Sequence, residues 1–162
     1  MGIRDNFTPE EWKSLLKAPM LVSYAIAGAA PSGEEGFIQE MSAVADAIIE
    51  GGEQAAKASL LEAVVADIVA NAGDEMRGPT EKISVGEIKN RALVNCQSVA
   101  LLLQTKASPE EADAYKRWLI AVAQKVAAAA KEGGIFGFGG KQVSESETAT
   151  INEIAAALSI EA

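Results

Sequence analysis

The sequence predicts an all-α fold in which about seven helices pack in one bundle. Alanine accounts for 31 of the 162 residues, whereas aromatic residues make up only 5%. Alanine is the best helix former and a poor filler of sheet surfaces. A helix-start motif recurs five times, and no alternating run of apolar and polar residues is long enough for a strand. The length fits a single domain over residues 1–162.

Five capping boxes mark helix starts. In this motif a Ser or Thr side chain accepts a hydrogen bond from the backbone N–H three residues later, and a Glu at that position bonds back. The five pairs are Thr8/Glu11, Ser32/Glu35, Ser84/Glu87, Ser108/Glu111 and Ser144/Glu147. Pro9 and Pro109 follow two of these caps, at the first helical position, where a missing N–H costs nothing.

The first three helices are predicted over residues 9–17, about 19–30 and 33–50. Pro19 separates the first from the second, because a proline inside a helix lacks the N–H and clashes with the preceding turn. Residues 19–30 are apolar nearly all round, which is typical of a central helix. Gly51-Gly52 is expected to end the third helix. The expected core residues of the first and third helices are Trp12, Leu15, Leu16, Phe37, Met41, Val44 and Ile48.

The remaining four helices are predicted over residues 53–71, 85–105, 109–131 and 145–158. Their apolar residues recur every three or four positions, so each helix has one face for the core. These residues are Leu60, Leu61, Val64, Val65, Ile68, Ile88, Ala92, Cys96, Val99, Leu103, Tyr115, Trp118, Leu119, Val122, Val126, Ile151, Ile154 and Leu158. Residues 72–83 form a polar internal loop, and residues 132–143 form a Gly-rich connection with three large apolar residues.

The composition excludes several classes of function. The chain has no histidine, so a Ser-His-Asp triad and His-ligated metal sites are ruled out. A single cysteine forms no internal disulfide, which fits a reducing cytoplasm. A net charge of −9 argues against nucleic acid or an anionic membrane as a partner. The two most apolar stretches fall short of the roughly 20 residues that span a bilayer. We therefore expect a cytoplasmic protein with no membrane span.

The third predicted helix carries an acidic stripe. Six acidic residues and no Lys or Arg lie between positions 31 and 56. At 100° per residue, Glu35, Asp46 and Glu50 project within about 60° of one another. Such a stripe is either a solvated helix face or a surface for a basic partner or divalent cations. We take these three residues as the candidate partner surface.

The Gly-rich connection raises the question of a phosphate or metal site. Gly140-Lys141 lacks both the Gly five residues before that Gly and the Ser or Thr that a Walker loop requires. Glu132 and Glu147 flank the segment, and carboxylates near a glycine turn are ligands that hard cations prefer. Glu147 is also explained by its helix cap, so a structural role stays open beside the metal site.

The segment VAAAAKEGGIFGFGGKQVSESETATINEIAAAL resembles the TerB-like family of tellurite-resistance proteins. It shares an Ala-rich helix, an acidic-Gly turn and a Val-Ser-x-x-Glu start of a final helix. The N-terminal FTPEEWKSLLKAPMLVSYAIAGAAPSG is compatible with the family. Residues 23–40 repeat the plan of residues 121–147, so we expect two helical hairpins related by a pseudo-twofold axis.

The resemblance implies an acidic, all-helical, mostly bacterial protein linked to tellurite and stress resistance, with no known catalytic chemistry. The family's turn reads Ala-Asp-Gly with a later Glu, and its acidic groups are proposed to meet metal ions. Here Glu132-Gly133 stands in place of Asp-Gly, and Glu147 and Glu40 match the later Glu. The first copy lacks the aspartate.

The sequence therefore favours a non-enzymatic binding or adaptor protein in a stress response, with no catalytic residue or cofactor assigned. Its protein partner is not specified by the sequence. The alternative is a divalent-cation-binding protein that uses Glu132, Glu147 and Glu40. Homodimerisation through an apolar helix face is a further expectation.

Overall fold

The computed structural model describes residues 2–30, 33–75, 83–132 and 144–160. Within these ranges the chain is all-helical and contains no strand, which confirms the predicted fold class. A short 3₁₀ helix, Ile3–Asn6, precedes the α-helices. The α-helices are α1 Pro9–Ala29, α2 Gly33–Gln54, α3 Leu60–Ala70, α4 Ala72–Glu75, α5 Val85–Lys106, α6 Pro109–Glu132 and α7 Glu145–Ala157. The pseudo-twofold relation between hairpins stays a prediction.

Helix α1 is the centre of the bundle. It contacts each of the other six α-helices, and eleven of its 21 residues are buried. One contiguous core joins α1 to side chains from α2, α3, α5, α6 and α7. Residues 19–30 are apolar nearly all round because nearly all of them belong to the central helix, as predicted. A helix enclosed on every side needs no polar face. None of the described helices is both long and apolar enough to cross a membrane.

The prediction that Pro19 breaks the first helix was wrong. Helix α1 continues through Pro19, which is buried inside it. A proline has no N–H, so the carbonyl of Leu15, four residues earlier, loses its usual helical donor. The hydroxyl of Tyr115 on α6 donates a 2.7 Å hydrogen bond to that carbonyl. A donor from another helix thus replaces the missing one, and the two predicted helices are one.

The prediction that Gly51-Gly52 ends the third helix was also wrong. Both glycines lie inside α2, which runs on to Gln54. A Cβ at Gly51 would overlap the indole of Trp118, and one at Gly52 would lie 2.6 Å from Cγ1 of Val65. The glycines therefore serve the close approach of α6 and α3 to α2. Trp118 uses this closeness, because its Nε1 donates to the carbonyl of Ala47 at 3.3 Å.

Helix α3 begins seven residues later than predicted. Residues 55–59 separate it from α2, and Ala58 adopts a positive φ of 61°. Ser59 caps the new start, since its Oγ accepts from the backbone N–H of Glu62 at 3.2 Å. The Glu62 carboxylate accepts from the backbone N–H of Ala58 at 2.5 Å. The pattern Ser-x-x-Glu was present in the sequence at this point and identifies the true start.

The other predicted boundaries agree with the structure to within one residue, apart from α4. Residues 72–75 form this short helix in a segment expected to be a loop. The caps at Thr8, Ser84, Ser108 and Ser144 all accept the expected backbone hydrogen bond. Ser32 lies outside the described residues, as does most of the Gly-rich connection, at 133–143.

The predicted core is largely confirmed, with one correction. Phe37 was expected in the core but is 41% exposed. Its ring packs beside Tyr24 near the start of α2, with the ring centroids 6.1 Å apart. Met41 and Ile88 are half-buried, and the remaining predicted core side chains are buried.

Candidate functional site

The outer face of α2 carries two parallel rows of exposed side chains. One row is acidic, with Glu35 and Asp46, and the other is apolar, with Ile38 and Ile49. Ile38 is 67% exposed and Ile49 is 49% exposed. Within each row the two residues are eleven positions apart, which is three helical turns or about 16 Å. Viewed down the helix axis, the two rows lie about 60° apart. One row lies on each side of the direction that points away from the core.

The carboxylates of the acidic row are exposed and are not compensated by a neighbouring cation of the described part of the chain. Among the ion pairs of the described residues, none involves Glu35 or Asp46. Glu50, the third predicted stripe residue, is exposed as well, but its carboxylate pairs with the Lys125 ammonium of α6. Glu50 therefore lies at the edge of the surface, where part of its charge is compensated from the neighbouring helix.

Glu147 is fully buried at the start of α7. Its Oε2 accepts a 2.8 Å hydrogen bond from the backbone N–H of Ser144, and its own N–H donates to Ser144 Oγ at 3.2 Å. The capping box is therefore complete, as the alternative structural interpretation predicted. The other oxygen, Oε1, has no hydrogen-bond partner among the described residues.

Glu40 is also buried, with only 1% of its surface exposed. It lines an open groove of about 470 Å³ between α1, α2 and the start of α5, together with Tyr24 and Phe37. Partial burial raises the pKa of Tyr24, so its phenol stays protonated. The groove is mostly apolar, with the carboxylate side chains of Glu34 and Glu40 on the α2 side.

These glutamates do not form a metal centre within the described part of the chain. No group of three or more Asp, Glu or Cys side chains is placed there to hold a cation. One oxygen of Glu147 is already used by its cap. The side chain of Glu132 lies outside the described residues, so a cation site that includes it stays a prediction.

Comparison with known proteins leaves the chain without an assigned relative. No family model, curated protein or solved structure matches it. The resemblance to TerB-like proteins therefore stays a prediction that rests on the sequence motifs.

The single thiol is not a candidate nucleophile. Cys96 is fully buried on the inner face of α5. Burial raises its pKa to about 12, so the thiolate required for attack is absent at neutral pH. The prediction that Cys96 acts as a small hydrophobic core residue agrees with this position.

Sequence reasoning found the acidic row of α2 but missed the apolar one. Ile38 and Ile49 are ordinary core-type residues in composition, and nothing in their identity marks them as exposed. The signal was the helical position: both lie about 150° from the buried direction of α2, which Val44 and Ala47 define. An apolar residue on the polar side of an amphipathic helix is the feature to look for.

Proposed function

We propose that the protein is a non-enzymatic binding protein whose α2 outer face docks a basic, amphipathic segment of another protein. The observation that carries this proposal is the pairing of an exposed isoleucine row with an exposed carboxylate row on one helix face. Exposed apolar side chains rimmed by polar ones are typical of interaction sites.

The arrangement defines the chemistry of the partner. Ile38 and Ile49 offer apolar contact, and Glu35 and Asp46 offer negative charge along the same line of about 16 Å. A helical segment with Lys or Arg beside an apolar stripe matches both rows at once. The absence of Lys and Arg from residues 31–56 means that α2 itself does not repel such a segment. Charge complementarity would also steer the encounter.

The adaptor role and the stress-response context implied by the TerB-like resemblance belong to the same proposal. A binding role needs no catalytic group. It therefore agrees with a chain that has no histidine and whose one thiol is held protonated in the core. The exposed α2 face supports the binding part of this proposal, and the sequence motifs support the context.

Binding of a model peptide tests the surface. The probe is a synthetic basic amphipathic helix of leucine and lysine, titrated into the protein by calorimetry, with an acidic amphipathic peptide of equal length as the comparison. We expect the basic peptide alone to bind, and more weakly as salt is added. The double variant Glu35→Lys, Asp46→Lys is expected to weaken binding at least about tenfold, because two attractive contacts become repulsive.

A matched control separates the α2 face from the overall charge. Glu153→Lys makes the same charge change as Glu35→Lys alone at an exposed site on α7, so it is compared with that single variant. Its loss of the Lys89 ion pair costs little. It should bind the peptide nearly as well as the parent protein. Equal affinity of the parent and the double variant would contradict the proposed surface. Ile38→Ser tests the apolar row in the same way.

A further inference from the structure

The outer face of α5 is uncharged over an unusual length for so acidic a chain. No Asp, Glu, Lys or Arg occurs from Ala92 to Thr105, a stretch of about 21 Å. Val94 is 53% exposed and Leu101 is 67% exposed on this face, two helical turns apart. The exposed polar residues around them are neutral: Gln97, Ser98, Gln104 and Thr105. All six side chains project within a sector of about 120° of the helix circumference.

The exposed side chain of Leu101 lies between two grooves and lines both of them. On one side lies a groove of about 910 Å³ between α5, α6 and the end of α7, with walls that include Ala107, Ala112 and Ile160. On the other side lies a groove of about 410 Å³ between α5 and α1, which Ser14 and Leu102 also line. One face therefore presents both a protruding apolar side chain and, beside it, grooves whose walls are partly apolar.

A protruding side chain and a groove on the same face make that face complementary to itself, as the interface of a twofold dimer must be. In such an interface the same patch meets itself, so the protruding side chain of each copy must find a groove on the other. A stable dimer buries about 800 Å² on each partner. The α5 face extends sideways over the groove walls of α1, α6 and α7, so the contact is wider than one helix.

The distribution of charge over the surface also favours a second copy of the chain as the partner of the α5 face. The chain carries a net charge of −9, so two copies repel each other across most approaches. The exposed faces of α2, α6 and α7 carry charged side chains, whereas the α5 stretch carries none. The charged residues that line the two grooves nearly cancel: Asp113 is offset by Lys116 and Glu11 by its ion pair with Lys106, so that Glu10 leaves one net negative charge. Two copies therefore meet there with less repulsion between like charges than at the charged faces of α2, α6 and α7.

We propose that the protein forms a homodimer through the outer face of α5, with Leu101 of each copy seated in the groove beside α5 of the other. This surface is separate from the α2 face, and the dimer does not depend on the function proposed above. In the dimer the two α2 faces stay available, so one assembly would present two copies of the same binding surface.

Sedimentation velocity of the full chain tests the proposal. We expect a shift from monomer towards dimer between low and high micromolar concentration. Leu101→Asp is expected to raise the dissociation constant about 100-fold or more, because it removes the apolar contact and places a carboxylate where it must lose water. Val94→Asp, a second exposed site, should act in the same direction. Far-UV circular dichroism checks that each variant is folded.

Ile38→Asp is the matched control, since Ile38 has the same 67% exposure as Leu101 but lies on α2. It should leave the dimer unchanged, because its new carboxylate lies away from the α5 face. A protein that stays monomeric across the concentration range would overturn the proposal. So would a dimer that both α5 variants leave intact, or one that Ile38→Asp disrupts.

Discussion

Replacing Tyr115 with phenylalanine should destabilise the protein by removing one buried donor. The Tyr115 hydroxyl donates to the carbonyl of Leu15 at 2.7 Å, and both side chains are fully buried. Pro19 cannot supply the helical N–H for this carbonyl. Phenylalanine keeps the ring and its packing but leaves the carbonyl without a donor in the core.

The expected loss follows from the cost of an unsatisfied buried acceptor. That cost is about 1–3 kcal/mol, larger than the net value of an average hydrogen bond. For a chain of this length, a loss of about 2 kcal/mol lowers the melting temperature by about 4–8 °C. The change should lower the denaturant midpoint without altering the slope, because the fold and its buried area stay the same.

A double-mutant cycle shows whether the hydroxyl compensates for the proline. In Pro19→Ala the new N–H donates to the Leu15 carbonyl, so this carbonyl keeps a partner when the hydroxyl is removed. Tyr115→Phe should then cost less than about 1 kcal/mol in the Pro19→Ala background. The two changes should thus show an interaction energy of about 1–2 kcal/mol.

Equilibrium urea unfolding, followed by far-UV circular dichroism, measures the four proteins of the cycle. The wild type, both single variants and the double variant are compared under identical conditions. An equal cost of Tyr115→Phe in both backgrounds would refute the reasoning, because the hydroxyl would then act independently of Pro19.

Three further perturbations have defined outcomes. Gly51→Ala should lower the unfolding free energy by about 1–2 kcal/mol and change tryptophan fluorescence, because overpacking against Trp118 outweighs the gain in helix propensity. Cys96 should resist iodoacetamide at mildly alkaline pH in the folded protein and react once urea unfolds it, since burial raises its pKa to about 12. The pKa of Glu11 is lowered by its hydrogen bond from Lys106, so this pair should stabilise the fold above about pH 4.5 and less as the pH falls further. Melting curves from neutral to acidic pH should therefore show a smaller loss for Glu11→Gln than for the parent.

The first two of these perturbations have a control in the chain. Gly86→Ala on α5 meets open space, so its stability should be unchanged or slightly raised. Thr148→Cys places a thiol at an exposed position of α7, and this thiol should be labelled in the folded protein while Cys96 is not. Native labelling of Cys96 as fast as that of the introduced thiol, or an acid response that Glu11→Gln leaves unchanged, would contradict the corresponding assignment.

Local signals in the sequence predicted most of the helices, whereas tertiary contacts decided the exceptions. A capping box is complete within four residues, so the starts at Thr8 and Ser144 could be found without knowing the fold. The helix through Pro19 could not, because its compensating donor lies 96 positions away in sequence. The two glycines of α2 likewise predict a helix end from sequence alone, although the reason for them is the close packing of α6 and α3.

The residues of the candidate surface likewise fall into those that local sequence predicts and those that tertiary contacts decide. The acidic residues of α2 could be grouped by helical angle alone, which placed Glu35 and Asp46 together. The ion pair of Glu50 depends on the position of Lys125 on another helix. Whether Ile38 and Ile49 are buried or exposed depends on which side of α2 meets the core, and the buried residues of the folded chain fix that side.

The adjacent glycines of α2 also determine which variants of this chain can fold. Positions 51 and 52 are only half-buried, so a surface criterion would rank them as tolerant to substitution. Each faces a different neighbour, Trp118 on α6 and Val65 on α3, and neither leaves room for a methyl group. In a library selected for folding, both positions should stay glycine while the exposed Glu53 and Gln54 beside them vary. The Gly-Gly pair would then mark a junction of three helices.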